Sequence, residues 1–154
     1  MVVRRRNLGS RRGSEVVESM LMLLPLFALV FLIIDTSWGL FIKATLEYSV
    51  QTAVNNAAAG ATGPSGQMAA IAQTVETQSL HLVKAADVVT NFYAPASMSS
   101  SLPVGAGVNA AGNVVEVDVD YLFSPLAPLF RSSTGFHITA SAAAVLEASP
   151  APSL

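Results

Sequence analysis

Apolar side chains are concentrated in one long run near the start of this 154-residue chain. From Ser19 to Ile34 nearly every position is apolar. A single acid, Asp35, follows, and Thr36-Ser37-Trp38-Gly39-Leu40-Phe41-Ile42 complete the run before Lys43. A membrane-spanning helix takes about 20 mostly apolar residues, so residues 19–42 predict one. Trp38 suits its outer interface. Asp35 is expected at that interface too, because a carboxylate at the bilayer centre costs roughly 2.5–3.5 kcal/mol. Beyond Ile42 the pattern becomes amphipathic, with Leu46, Val50, Ala53, Val54 and Ala57 recurring three and four residues apart. One helix is therefore predicted from Ser14 to about Gly60, kinked at Pro25 and stopped by Gly60 and Thr62-Gly63-Pro64-Ser65-Gly66. About 47 residues at 1.5 Å each reach roughly 70 Å, enough to cross a membrane and project beyond it.

The remaining pattern predicts a small α+β head. Gln67 to about Lys84 reads as a second helix, with Met68, Ile71, Val75 and Leu82 along one side. Asp87–Tyr93 reads as a strand. Ala94–Gly112 is a loop rich in Ala, Ser, Gly and Pro, too poor in apolar bulk to order itself. Strict alternation follows: Val115, Val117, Val119, Tyr121 and Phe123 form an inner face, and Val114, Glu116, Asp118, Asp120 and Leu122 the outer one. Ser124 to Phe130 is an apolar connection marked by Pro125 and Pro128. Phe136, Ile138, Ala140, Ala142 and Ala144 give a third strand whose small inner face lets the long helix approach closely. The fold class is thus α+β: a long N-terminal transmembrane helix extending into a head with a second helix and an antiparallel sheet of about three strands. The divisions are residues 1–13, a basic leader; 14–60, the long helix; 61–147, the head; and 148–154, a disordered tail.

Charge divides the chain at the same place. Five of the eight basic residues (Arg4, Arg5, Arg6, Arg11 and Arg12) precede residue 14, and all ten acidic residues follow it. A chain starting at Ser14 has three basic against ten acidic residues, a formal charge of −7. Arginines before an apolar helix predict a cytoplasmic amino terminus and an extracytoplasmic head. Only 12% of residues are charged, and mean hydropathy is +0.53. Both fit a membrane or assembly role rather than a nucleic-acid binder. There is no cysteine, which excludes disulfides, thiolate nucleophiles and zinc-thiolate sites.

A cleaved secretory signal fits poorly. Glu15 and Glu18 stand between the arginines and the apolar core, and the nearest small-x-small triplet, Ser37-Trp38-Gly39, is bulky in the middle. The segment Arg12-Gly13-Ser14-Glu15-Val16-Val17-Glu18 instead pairs a basic leader ending in glycine with a glutamate five residues on. Here the chain resembles the type IV pilin superfamily, and within it the TadE-like pseudopilins of tight-adherence (Tad, Flp-type) pilus systems. The ordering of residues 114–147 is similar too: a valine-alternating strand, an aromatic-plus-proline connection and a strand rich in Thr and Ala. The resemblance covers most of the chain and leaves residues 61–112 generic.

The resemblance implies that a prepilin peptidase cuts after Gly13 on the cytoplasmic side. Ser14 becomes the new amino terminus, Glu18 the fifth mature residue, and Arg11 and Arg12 the basic end of the leader. Ser19 departs from the aromatic residue common after the glutamate. Gly9 is a poorer cutting site, since Arg11 and Arg12 would then remain. The implied role is a structural minor pilin or pseudopilin of the inner membrane. Its partners are the peptidase, other pilin subunits, the inner-membrane assembly platform and lipid, not nucleic acid. In a filament the Glu18 carboxylate would pair with the Ser14 ammonium of a neighbouring subunit; the alternative is that Glu18 lies among headgroups. Two other readings remain open: an uncleaved signal-anchored envelope protein whose head binds a ligand or partner, and a type II secretion pseudopilin.

No catalysis, cofactor or metal site is expected. Glu116, Asp118 and Asp120 share a strand face, which alternation alone explains as the solvent side. His81 and His137 have no ligand-spaced partner. Nucleophile elbows and phosphate-binding glycine patterns are missing from the sequence.

Overall fold

The computed structural model describes residues 9–59, 64–95, 100–103, 108–125 and 135–147. Helix α1 spans Gly9–Ala59 and α2 Pro64–Gln78. A short 3-10 turn, Ala85–Asp87, leads into strands β1 (Val88–Tyr93), β2 (Val114–Phe123) and β3 (Phe136–Val145). The strands form one antiparallel sheet in the order β1-β2-β3, so the expected α+β architecture is present. The predicted tail and most of the 124–130 connection fall outside the described residues.

The 51 residues of α1 make a rod of about 75 Å. It begins at Gly9, not at Ser14 as the pattern predicts. Ser10, Arg11 and Arg12 contain no helix breaker, and one interior glycine costs only about 1 kcal/mol. The helix passes through Pro25 unbroken. The proline supplies no N–H, so the Leu21 carbonyl lacks its usual intrahelical donor.

The two halves of α1 have different surroundings. Residues 13–34 carry exposed side chains except for the half-buried Ala28. The most apolar stretch of the helix has mean hydropathy 2.5 and no buried residue, long and apolar enough to cross a membrane. Cover begins at Asp35, only 6% exposed between the exposed Ile34 and Thr36. An isolated helix cannot hide one side chain that way, so the rest of the chain reaches this level. Above it Ile42, Leu46, Ser49, Val50, Ala53, Val54 and Ala57 are buried at three- and four-residue spacing. One sequence expectation is corrected here: Ile42 belongs to the head's core rather than to the bare segment. Asp35 is buried and engaged in an interaction within the chain.

The sheet lies along this upper half of α1. Val115, Val117, Val119 and Phe123 are buried with Phe92 of β1 and Ala140 of β3, and Tyr121 packs against them half-buried. This is the inner face that the alternation predicts. At one end the Glu147 amide donates to the Ala58 carbonyl at 3.2 Å. At the other, a Cβ on Gly39 would touch the Phe123 ring at 3.9 Å. From Gly39 to Ala58 is about 29 Å of helix, and ten strand residues span about 33 Å, so β2 and β3 run alongside the rod. Small Ala140, Ala142 and Ala144 keep β3 close to it. Phe136, expected on the inner face, is 51% exposed, because it lies at the sheet end where the covering thins.

Helix α2 ends at Gln78, six residues before the expected Lys84. The His81 amide bonds the Glu76 carbonyl at 2.9 Å and the Leu80 amide bonds that of Thr77 at 3.3 Å, with φ of 57° at Leu80 and 62° at His81. This is a Schellman stop, whose left-handed residue is usually glycine. Leucine fills it here, so the apolar spacing reads straight through. Leu82 lies beyond the helix yet still packs on the core. At the start of α2, the Gln67 amide nitrogen donates to the Ala57 carbonyl at 2.8 Å, satisfying one of the free carbonyls that end α1.

The 94–112 loop also contributes more than its composition predicts. Val108 is 4% exposed and Leu102 packs on the core, its amide bonded to the Phe92 carbonyl at 2.7 Å.

Gly135, just before β3, sits at φ +67°, where a Cβ would lie 2.9 Å from Leu122 Cδ1 and 3.0 Å from the Phe123 carbonyl oxygen. Gly135→Ala is expected to cost about 2 kcal/mol from the left-handed backbone alone. At roughly 4–8 °C per kcal/mol for a domain this size, the head should melt about 10 °C lower. Unchanged thermal unfolding by circular dichroism would contradict this geometry.

Candidate processing and assembly site

The residues singled out by the sequence lie on the first turns of α1. Gly13, Ser14 and Glu18 are exposed; Arg11 and Arg12 occupy the preceding helical positions, and their side chains fall outside the described residues. Ser14 and Glu18 are four residues apart and hence share a helix face. Helical side chains lean toward the amino terminus, so the Glu18 carboxylate leans back toward Ser14. Glu15, Val16, Ser19, Met20 and Leu23 line a shallow open groove on this segment. The Ser19 hydroxyl donates to the Glu15 carbonyl at 2.8 Å. That bond satisfies the serine internally, so the residue in the unusual position after Glu18 presents no unpaired polar group.

The Gly13–Ser14 peptide lies within helical backbone. Proteolysis there requires the first turns to open, and helix ends fray. Gly13 adds to that ease, since glycine is about 0.5–1 kcal/mol less helix-stable than alanine. A Cβ at Gly13 would meet nothing within 4 Å. Among the described residues no steric need requires glycine at that position.

Two pairs of the head's titratable residues are engaged with each other. Glu116 accepts a hydrogen bond from Tyr93, which with the negative charge nearby raises the Tyr93 pKa above its ordinary value. Asp120 accepts from His137, whose Nδ1 lies 2.9 Å from both carboxylate oxygens. Histidine spacing along the sequence does not reveal this pair; the β2–β3 register, with Leu122 opposite His137, creates it. Partial burial, and then the neighbouring Glu116, raise the Asp118 pKa. A carboxyl raised in the folded state binds its proton more tightly there. The stability it offers is therefore present at acid pH and lost as pH rises through that folded value. His81 is exposed in the turn after α2. Among the described residues no three His, Cys, Asp or Glu side chains converge to hold a metal ion.

A small cavity lies between α1 and α2, lined by Ala53, Asn56, Ala57, Gln67, Ala70, Ile71 and Thr74. Gln67 is buried, and its Oε1 has no hydrogen-bond partner. A water bound there would satisfy that oxygen. Comparison with protein-family models, curated proteins and solved structures gave no match.

Proposed function

We propose that the chain is a minor pilin or pseudopilin of the TadE-like kind, a structural subunit in the assembly of a Tad/Flp-type pilus. In this reading its bare helical segment crosses the bacterial inner membrane once, with the amino terminus cytoplasmic and the head outside. A prepilin peptidase removes residues 1–13. The released rod then exchanges lipid for the helices of other pilins at the assembly platform.

The observation that carries the reading is the arrangement along α1. A glycine-ended basic leader opens directly onto an unburied apolar helix, and the same helix continues without interruption as the spine of a small head. A secreted binding domain would have no use for that continuity, because its fold would end where its anchor begins. Here removing the apolar half leaves a spine cut at Asp35. The charges agree with the reading as well. Cutting after Gly13 removes five arginines and places an ammonium, with an ordinary pKa near 7.7–8, one turn from Glu18. Opposite charges on neighbouring subunits would neutralise each other in a medium where either alone is costly.

The reading is tested by the intact mass and amino-terminal sequence of chain extracted from membranes of cells with a working pilus machine. A start at Ser14 supports it. A start at Met1 gives the uncleaved anchor, and a start near Leu40 a secreted head. Glu18→Ala should leave membrane insertion unchanged but reduce co-purification with the other pilins. Losing at least 1.4 kcal/mol of pairing corresponds to a drop of about tenfold or more. Undiminished co-purification would remove the proposed charge pairing while leaving the cleavage result intact.

A further inference from the structure

The end of the head nearest the bare half of α1 exposes large apolar side chains. Phe136 is 51% exposed and Leu122 56%. Both flank the β2–β3 hairpin end, where Phe123 pairs with Phe136 and Leu122 with His137. That end is fixed to a definite height on the rod, because Phe123 packs at Gly39. On the same turns Trp38 and Phe41 are also exposed, at 47% and 45%, and stack with ring centroids 5.3 Å apart.

The length of the bare segment then places this height relative to a bilayer. Glu15 and Glu18 cannot enter the hydrocarbon cheaply, so the apolar crossing starts at Ser19. Ser19 to Ile34 is about 24 Å of helix, against a hydrocarbon core of about 30 Å. Four more residues are needed, and counting them brings the outer boundary to Trp38. The boundary therefore falls above Asp35, inside the first turn that the head covers. Asp35 tolerates this level because it is only 6% exposed and engaged by the chain itself rather than by lipid.

We infer that the lower end of the head is a second membrane contact: Phe136 and Leu122, beside Trp38 and Phe41, seat in the headgroup region of the phospholipid leaflet from which α1 emerges. Aromatic and apolar side chains favour this zone. The contact is apolar rather than electrostatic, since the residues beyond Asp35 carry three basic against seven acidic side chains and would be repelled by anionic lipid. Seating should therefore survive high salt. The inference rests on the membrane crossing of α1 and is independent of any role in a pilus.

The chain has no cysteine, so single labels can be placed without background. Leu122→Cys, Phe136→Cys and Val145→Cys, each exposed in the structure, are spin-labelled in the full chain and reconstituted into phosphatidylethanolamine–phosphatidylglycerol vesicles. Val145, at the far end of β3, is the control. Labels at 122 and 136 should collide several-fold more with oxygen, relative to an aqueous nickel chelate, than the label at 145, with little change on adding salt. Equal, water-like accessibility at all three sites overturns the inference. Shielding of 122 and 136 from both reagents also overturns it, by showing that a second copy covers them. Quenching of Trp38 by brominated lipid in the same samples reports the crossing separately; an unquenched Trp38 overturns the membrane premise itself.

Discussion

Gly13→Ala is expected to leave the full-length chain, with its thirteen-residue leader, as the dominant species in the membrane. Two effects act in the same direction. On the proposed reading a prepilin peptidase cuts after the glycine, and alanine in its place should block that cut. Alanine also stiffens the helix around the scissile bond by about 0.5–1 kcal/mol, so the turn that must open for cutting opens less often. The substitution is informative because it is harmless to the fold: a Cβ at this position meets nothing within 4 Å. Head stability, membrane insertion and expression should all match the parent chain. Intact-mass measurement of the extracted protein decides the matter. Normal maturation to a Ser14 start in the variant would place the cut elsewhere, with Gly9 the next glycine to test.

Phe92→Ala should unfold the head and leave the apolar half of α1 inserted. Phe92 is 1% exposed, the largest fully buried side chain among the described residues. It lies on β1, the edge strand farthest from β3, opposite Val115 of β2. Truncating a buried phenylalanine costs about 3–5 kcal/mol from lost transfer energy and the cavity left behind. Small domains have only about 5–15 kcal/mol in total. Melting should fall by about 15 °C or more on the scale of 4–8 °C per kcal/mol. The bare segment takes no part in that core, so membrane fractionation should not change. Limited proteolysis should therefore reduce the variant to a membrane-protected helical fragment while the parent head resists. Equal resistance of the two heads would mean that Phe92 is not the keystone its burial implies.

Much of the architecture is legible in residue spacing. The valines of β2 alternate so strictly that inner and outer faces are assigned correctly from Val114 to Phe123. The spacing from Leu46 to Ala57 identifies the buried stripe of α1. The failures have identifiable physical causes. Leu80 adopts a left-handed conformation with no glycine to announce it, so α2 appears six residues too long. Leu102 and Val108 are lone apolar residues in a stretch of small polar ones, and only tertiary contact gives them a place. Ile42 closes an apolar run and shares its composition, so the sequence assigns it to the membrane segment although it is buried in the head's core. The Asp120–His137 pair depends on cross-strand register, which no single segment encodes. The proposed processing site presents the opposite case. Gly13, Ser14 and Glu18 are legible as a motif, and in the structure they form an exposed helical turn; the processing assigned to them is a proposal that involves other molecules.

The continuity of α1 from the apolar half to Ala59 also decides how the molecule bears mechanical force. A pull between the bare apolar half of α1 and the head enters along the axis of the rod, with β2 and β3 lying beside it over about 29 Å of helix. The load is then shared as shear across Ile42, Leu46, Val50, Val54 and the strand side chains against them. Among the described residues no strand lies at the point of entry to be peeled away first. A chain of this design resists tension in the way a lap joint does, with every turn of overlap yielding together or not at all.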